Sequence, residues 1–93
     1  MIVRITPRAE RDIDEIIGYV EAFSPQGARN VALSLQQAFR ILGEQPRTGV
    51  PTQRYDVFVK IVPGYPYKVF YRLSSGAVEI LHVRHSSRRP WIP

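Results

Sequence analysis

Apolar residues change their spacing along this chain, and each change marks an element. Ile2-Val3-Arg4-Ile5 reads as a short strand. Thr6-Pro7 follows, a helix start with Thr6 as N-cap and Pro7 at the first helical position. Ile13, Ile16, Ile17, Val20 and Phe23 then recur at helical spacing, with Arg11, Asp12, Asp14, Glu15 and Glu21 mainly on the other side. Ser24-Pro25 repeats the punctuation. A second amphipathic helix carries Ala28, Val31, Ala32, Leu35, Ala38, Phe39 and Leu42 on one stripe, with Gly43 placed to terminate it.

Beyond a Pro46-Arg47-Thr48-Gly49 turn and a looser segment, the period shortens to two. A strand is expected from Tyr55 to Val62, broken by Pro63-Gly64-Tyr65-Pro66. A hairpin then joins Tyr67–Leu73 to Ala77–His85 through Ser74-Ser75-Gly76. The short connection between the helices implies an antiparallel helical hairpin, and only the later strands can cover its apolar stripes. The expected architecture is α+β in the order β-α-α-β-β-β, the helical hairpin packed on one face of a small, mainly antiparallel sheet. Residues 1–93 form one domain on this reading.

Charge adds direction to this scaffold. The formal net charge is +5. Arg4, Arg8 and Arg11 near the start are outnumbered by Glu10, Asp12, Asp14, Glu15 and Glu21. Arg47, Arg54, Lys60, Lys68, Arg72, Arg84, Arg88 and Arg89 later face only Asp56 and Glu79. A basic C-terminal half favours an anionic partner, either nucleic acid or an acidic protein segment. Without cysteine there is no disulfide or thiolate site, and His82 and His85, with few carboxylates near them, make a poor metal site. Neither metal nor cofactor is called for. No apolar run reaches the roughly 18 residues of a membrane span and no signal-peptide pattern opens the chain, so a cytoplasmic protein is expected, away from membranes.

Alternation places Tyr67, Val69, Tyr71 and Leu73 toward the core, and Lys68, Phe70 and Arg72 on the opposite face. The same parity on the preceding strand separates Tyr55, Val57, Val59 and Ile61 from Asp56, Phe58, Lys60 and Val62. Lys60, Lys68 and Arg72 are therefore expected to share one cationic face around Phe70. Arg72 has Glu79 as its one candidate acid across the hairpin. His82, along the strand, reads as a hydrogen-bonded structural histidine. His85, at the strand end beside Arg84 and Arg88, is a candidate base or phosphate donor, its neutral form favoured by the cations. Trp91 is either a cover for the sheet edge or an anchor for a partner.

These elements together resemble the RelE/ParE superfamily, the toxins of bacterial type II toxin–antitoxin modules. The resemblance spans nearly the whole chain. It rests on Thr6-Pro7-Arg8-Ala9 with acidic Asp12 and Glu15, on Pro46-x-x-Gly49, on Tyr67-Lys68-Val69-Phe70-Tyr71-Arg72, and on Val78 to His85 followed by Arg88. RelE-like members cleave mRNA in the ribosomal A site. In that case Lys60 and Lys68 match their basic strand positions, with His85 and Arg88 near their terminal catalytic position. ParE-like members poison DNA gyrase, and Phe70-Tyr71-Arg72 with Val83-Arg84-His85 looks more like theirs. On that reading Lys60, Lys68, Arg72, Arg84, Arg88, Arg89 and Trp91 become partner-binding residues. The resemblance also implies a cognate antitoxin whose C-terminal segment wraps the toxin, with operator DNA reached only through the antitoxin.

Overall fold

The computed structural model describes residues 1–87. Strand β1 (Ile2–Ile5) leads into helix α1 (Pro7–Glu21), and helix α2 (Pro25–Glu44) follows after a tight turn. Four strands complete the chain: β2 (Val50–Pro51), β3 (Phe58–Ile61), β4 (Tyr67–Ser74) and β5 (Ala77–His85). They form one sheet in the order β1-β5-β4-β3-β2, antiparallel except where β1 runs parallel to β5. The expected α+β arrangement of a helical hairpin on a mainly antiparallel sheet is the one observed, with the two-residue β2 as an addition.

The helix starts work as their sequences suggest. Thr6 and Ser24 have extended backbones, and their hydroxyls accept the N–H groups of Ala9 and Gly27, the orphan donors of a first turn. Pro7 and Pro25 occupy first-turn positions where no N–H is required. Gly43 has a different role from the expected one. Helix α2 continues past it to Glu44, and a Cβ at Gly43 would stand 3.0 Å from the Met1 carbonyl oxygen and 3.1 Å from Val3 Cγ2. The glycine lets β1 pass close over the helix, and the Met1 ammonium donates to the Gly43 carbonyl at 2.6 Å.

The core lies between the helices and the inner sheet face. Ile16, Val31, Leu35, Ala38 and Leu42 meet Val69, Tyr71, Val78, Ile80 and Val83 there. Tyr71 is fully buried and still needs partners for its hydroxyl. It donates to the Pro46 carbonyl at 2.8 Å and accepts the Gly49 N–H at 2.9 Å. Burial raises the Tyr71 pKa, the Gly49 contact opposing, so the hydroxyl keeps its proton for Pro46. A side chain at Gly49 would collide with the Tyr71 ring, so the glycine is required by close approach. The Pro46–Gly49 turn is thus fastened to the middle of β4.

Two expectations about faces fail. Phe23, assigned to the apolar stripe of α1, is 76% exposed just beyond the helix end. On β3 the parity is reversed. Phe58 pairs with Tyr71 and Lys60 with Val69, which places Phe58 and Lys60 on the helix side, followed by core residue Val62. Ile61 pairs with Lys68 on the other side and is 52% exposed. Lys60 and Lys68 therefore lie on opposite faces.

Replacing Tyr71 with Phe keeps the ring and leaves the Gly49 N–H and Pro46 carbonyl without that partner. The expected cost is about 1–3 kcal/mol, read as a lower urea midpoint at unchanged m-value. An unchanged midpoint would mean that the hydroxyl clamp contributes nothing.

Candidate functional site: the open edge of β5

On one side β5 pairs with β4 from Ala77 to His85; on the other, β1 accompanies it only from Ala77 to Ile80. Thr6 closes that short pairing, its N–H and hydroxyl both reaching the Ile80 carbonyl, before Pro7 turns the chain into α1. Between Ile80 and His82 the β4–β5 register shifts, and Leu81 is the extra residue of a bulge. Beyond the bulge the Val83 N–H points to the vacated edge. A carboxylate from α1 meets it: Asp12 Oδ2 accepts the Val83 N–H at 3.1 Å and His82 Nδ1–H at 2.6 Å. Arg8, one turn earlier on α1, lies 3.4 Å from the other Asp12 oxygen.

The His82 ring is buried and stacks on Phe70 with centroids 5.8 Å apart. Burial lowers its pKa below the usual 6.5. The Asp12 hydrogen bond and charge oppose that effect, and Arg8 and Arg84 reinforce it. His82 is accordingly neutral at pH 7, a donor through Nδ1 to the carboxylate. The structural reading of His82 fits this geometry; its Asp12 partner, 70 residues away, could not be read from spacing.

Between α1 and this edge runs a groove of about 670 Å³. Ile16 and Tyr19 line one wall, His82, Val83, Arg84 and His85 the other. His85 stands at the strand end with its ring edge on Tyr67, and its Nδ1 takes the Ser87 N–H at 3.2 Å and lies 2.7 Å from Ser87 Oγ.

The basic residues singled out from the sequence separate into two groups. Lys68 and Arg84 are cross-strand partners on the face away from the helices, and Arg72 lies in register with Glu79 there. Arg72 Nε donates to Glu79 Oε1 at 2.8 Å, which raises the guanidinium pKa further. Arg4 pairs in register with Glu79 from the other side, extending the row. His85 and Lys60 belong to the helix-side face, where Lys60 Nζ reaches Thr48 Oγ1 at 3.3 Å. Arg88, Arg89 and Trp91 lie outside the described residues. Phe70 and Arg84 are buried, so the face away from the helices is less open than alternation suggested. Among the described residues, no helix is long and apolar enough to cross a membrane.

Comparison with known proteins places this geometry in context. The family described as ParE toxin of type II toxin–antitoxin system, parDE, matches residues 3–90. Toxin RelE2 of Caulobacter vibrioides is 35% identical over 83 residues, covering 89% of this chain and 92% of its own. Among solved structures, the chromosomal ParDE toxin–antitoxin system of P. aeruginosa superposes with a TM-score of 0.79 at 20% identity, over 91% of this chain and 95% of that one. The RelBE2 toxin–antitoxin complex of Mycobacterium tuberculosis gives a TM-score of 0.62 at 27% identity, over 90% and 88%.

The depressed pKa of His82 sets a pH dependence. The folded chain holds the ring neutral, whereas the unfolded chain takes up a proton below about 6.5. Its contribution is therefore fully present above 6.5 and is lost as pH falls from there toward the lower folded value. Urea unfolding at pH 7.5 and 5.5 should show a larger loss of stability for the native chain than for His82→Asn. Equal losses would remove His82 as the cause.

Proposed function

This chain belongs to the ParE toxin family of type II toxin–antitoxin systems, and we propose that it arrests growth by poisoning DNA gyrase. A cognate antitoxin holds it inactive, and any operator DNA is bound through that antitoxin. The observation that carries the gyrase reading is the division of the candidate nuclease residues between two faces. Metal-independent RNA cleavage needs a base for the 2′-OH, cations for the charge developing on phosphorus and an acid for the leaving oxygen, all within reach of one phosphate. Lys68 is on the sheet face away from the helices, while Lys60 and His85 are on the helix side. One scissile phosphate cannot touch that set together, whereas a toxin that acts by binding needs no such convergence.

The match to a relative named Toxin RelE2 favours a second reading, ribosome-dependent mRNA cleavage with His85 and Arg88 as the working groups. The two readings part on chemistry and are separated by one assay. Purified protein is incubated with gyrase, ATP and supercoiled plasmid, then treated with detergent and protease. Linear DNA is expected to accumulate, to a similar extent with His85→Ala. Absence of linear DNA together with cut mRNA on translating ribosomes, lost in His85→Ala, would overturn gyrase as the target.

A further inference from the structure

The far edge of the sheet, at β2 and β3, carries apolar side chains that the core does not use. Val50 pairs with Val59, and Ile61, two residues further along β3, pairs with Lys68. All four share the face away from the helices. Val50 and Ile61 are 61% and 52% exposed, and half-buried Val59 joins them in the register. Past Val50 and Val59, the loop from β2 to β3 holds Tyr55 out into water, 91% exposed. That loop is closed at its base. The Thr52 N–H and hydroxyl donate to the Val57 carbonyl at 3.0 and 2.8 Å, and the Val57 N–H returns to the Arg54 carbonyl at 3.0 Å. Arg54 and Asp56, on either side of Tyr55, are joined at 2.8 Å. Asp56 also adds to the raised pKa of Arg72, so the loop stands beside the charged row. A tyrosine held out by a fixed backbone loses little freedom when a partner covers it.

Backbone and charge decide the kind of partner. The Thr52 N–H turns inward to Val57, so by alternation the nitrogen of Pro51 faces outward, and proline has no hydrogen there to donate. Strand addition is disfavoured, and a partner is met by the side chains on the face. Arg54 is paired with Asp56 and Arg72 with Glu79, while Val50 and Ile61 offer a nucleic acid nothing to bond. A second copy of this +5 chain would bring like charge to like charge. Lys68, directly opposite Ile61, has no ion pair among the described residues. A protein surface with an apolar spot beside a carboxylate matches both the patch and its rim.

We propose that this end of the open sheet face is where the chain seats on gyrase protein, with Tyr55 and Ile61 as anchors and Lys68 meeting a carboxylate of the target. The assignment rests on the gyrase reading above and names the surface through which that target is gripped. It lies across the sheet from the groove beside α1, with β4 between β3 and β5.

The test uses the full chain with gyrase, ATP and supercoiled plasmid, and reads the dose that gives half-maximal linear DNA. The double variant Tyr55→Ser, Ile61→Thr changes two exposed sites and keeps a β-branched residue on β3, so it retains the fold, as its unfolding curve would verify. Its required dose is expected to rise by about tenfold or more. Leu33→Ser, an exposed apolar position on α2, leaves the dose unchanged. Lys68→Glu, with both anchors in place, also raises the dose, and Lys68→Arg restores it. A folded double variant that linearises plasmid at the native dose overturns the surface alone, whatever its affinity for antitoxin. A native dose for Lys68→Glu overturns the carboxylate. Absence of linear DNA with the native chain overturns the gyrase reading and this surface with it. Binding of the native chain to plasmid alone, weakened by the double variant, would assign the face to DNA instead.

Discussion

Strand β5 carries the hairpin on one side along its full length, but its other side is covered by β1 only to Ile80, and the remaining edge has to be closed by something that is not a strand. A buried strand N–H without an acceptor costs free energy on the order of 1–3 kcal/mol. Asp12 supplies that acceptor to Val83 from the second turn of α1, and the same oxygen takes the His82 proton. One carboxylate thereby fixes where α1 crosses the sheet and which way the His82 ring turns. The shortness of β1 is itself written in Thr6-Pro7: proline starts the helix and ends the strand, and the threonine hydroxyl terminates the pairing on Ile80. The groove is the consequence of ending one strand five residues before its neighbour.

Much of this architecture is legible in the amino-acid order. The two helix starts, the hairpin at Ser74-Ser75-Gly76 and the inward set of β4 all follow from local rules, because capping, positive-φ turns and alternation act over a few residues. Ser75 and Gly76 do adopt positive φ at the turn. What escapes is decided at longer range. Val57, Phe58, Val59, Ile61 and Val62 are apolar on both parities, so alternation cannot say which face is buried. The register is set by Val62, whose N–H reaches the Tyr67 carbonyl and whose side chain enters the core. That inversion moves Lys60 to the helix side. Gly43 carried a helix-end signature, but its purpose is the passage of β1, which no spacing announces. Phe23 kept the helical period of α1 yet lies beyond its last turn, where the stripe no longer faces the sheet.

The electrostatic picture is rearranged in the same way. The expected cationic cluster of Lys60, Lys68 and Arg72 is replaced by two cross-strand relations on the face away from the helices. Lys68 sits directly opposite Arg84, a like-charge juxtaposition that is unfavourable in an isolated sheet, while Glu79 lies between Arg72 and Arg4. Glu79 neutralises one end of the row by a direct 2.8 Å contact with Arg72. The asymmetry of charge first seen along the chain thereby becomes a direction across the sheet, from the Arg72–Glu79 pair toward Lys68 and Arg84.

Arg84 belongs to the charged row through its pairing with Lys68 and also lines the groove beside α1. It is buried there, and its charge reinforces, together with that of Arg8, the burial that keeps His82 neutral against the pull of Asp12. The charged row and the Asp12–His82 contact are therefore not independent: a change at Arg84 alters the field on the histidine to which α1 is fastened.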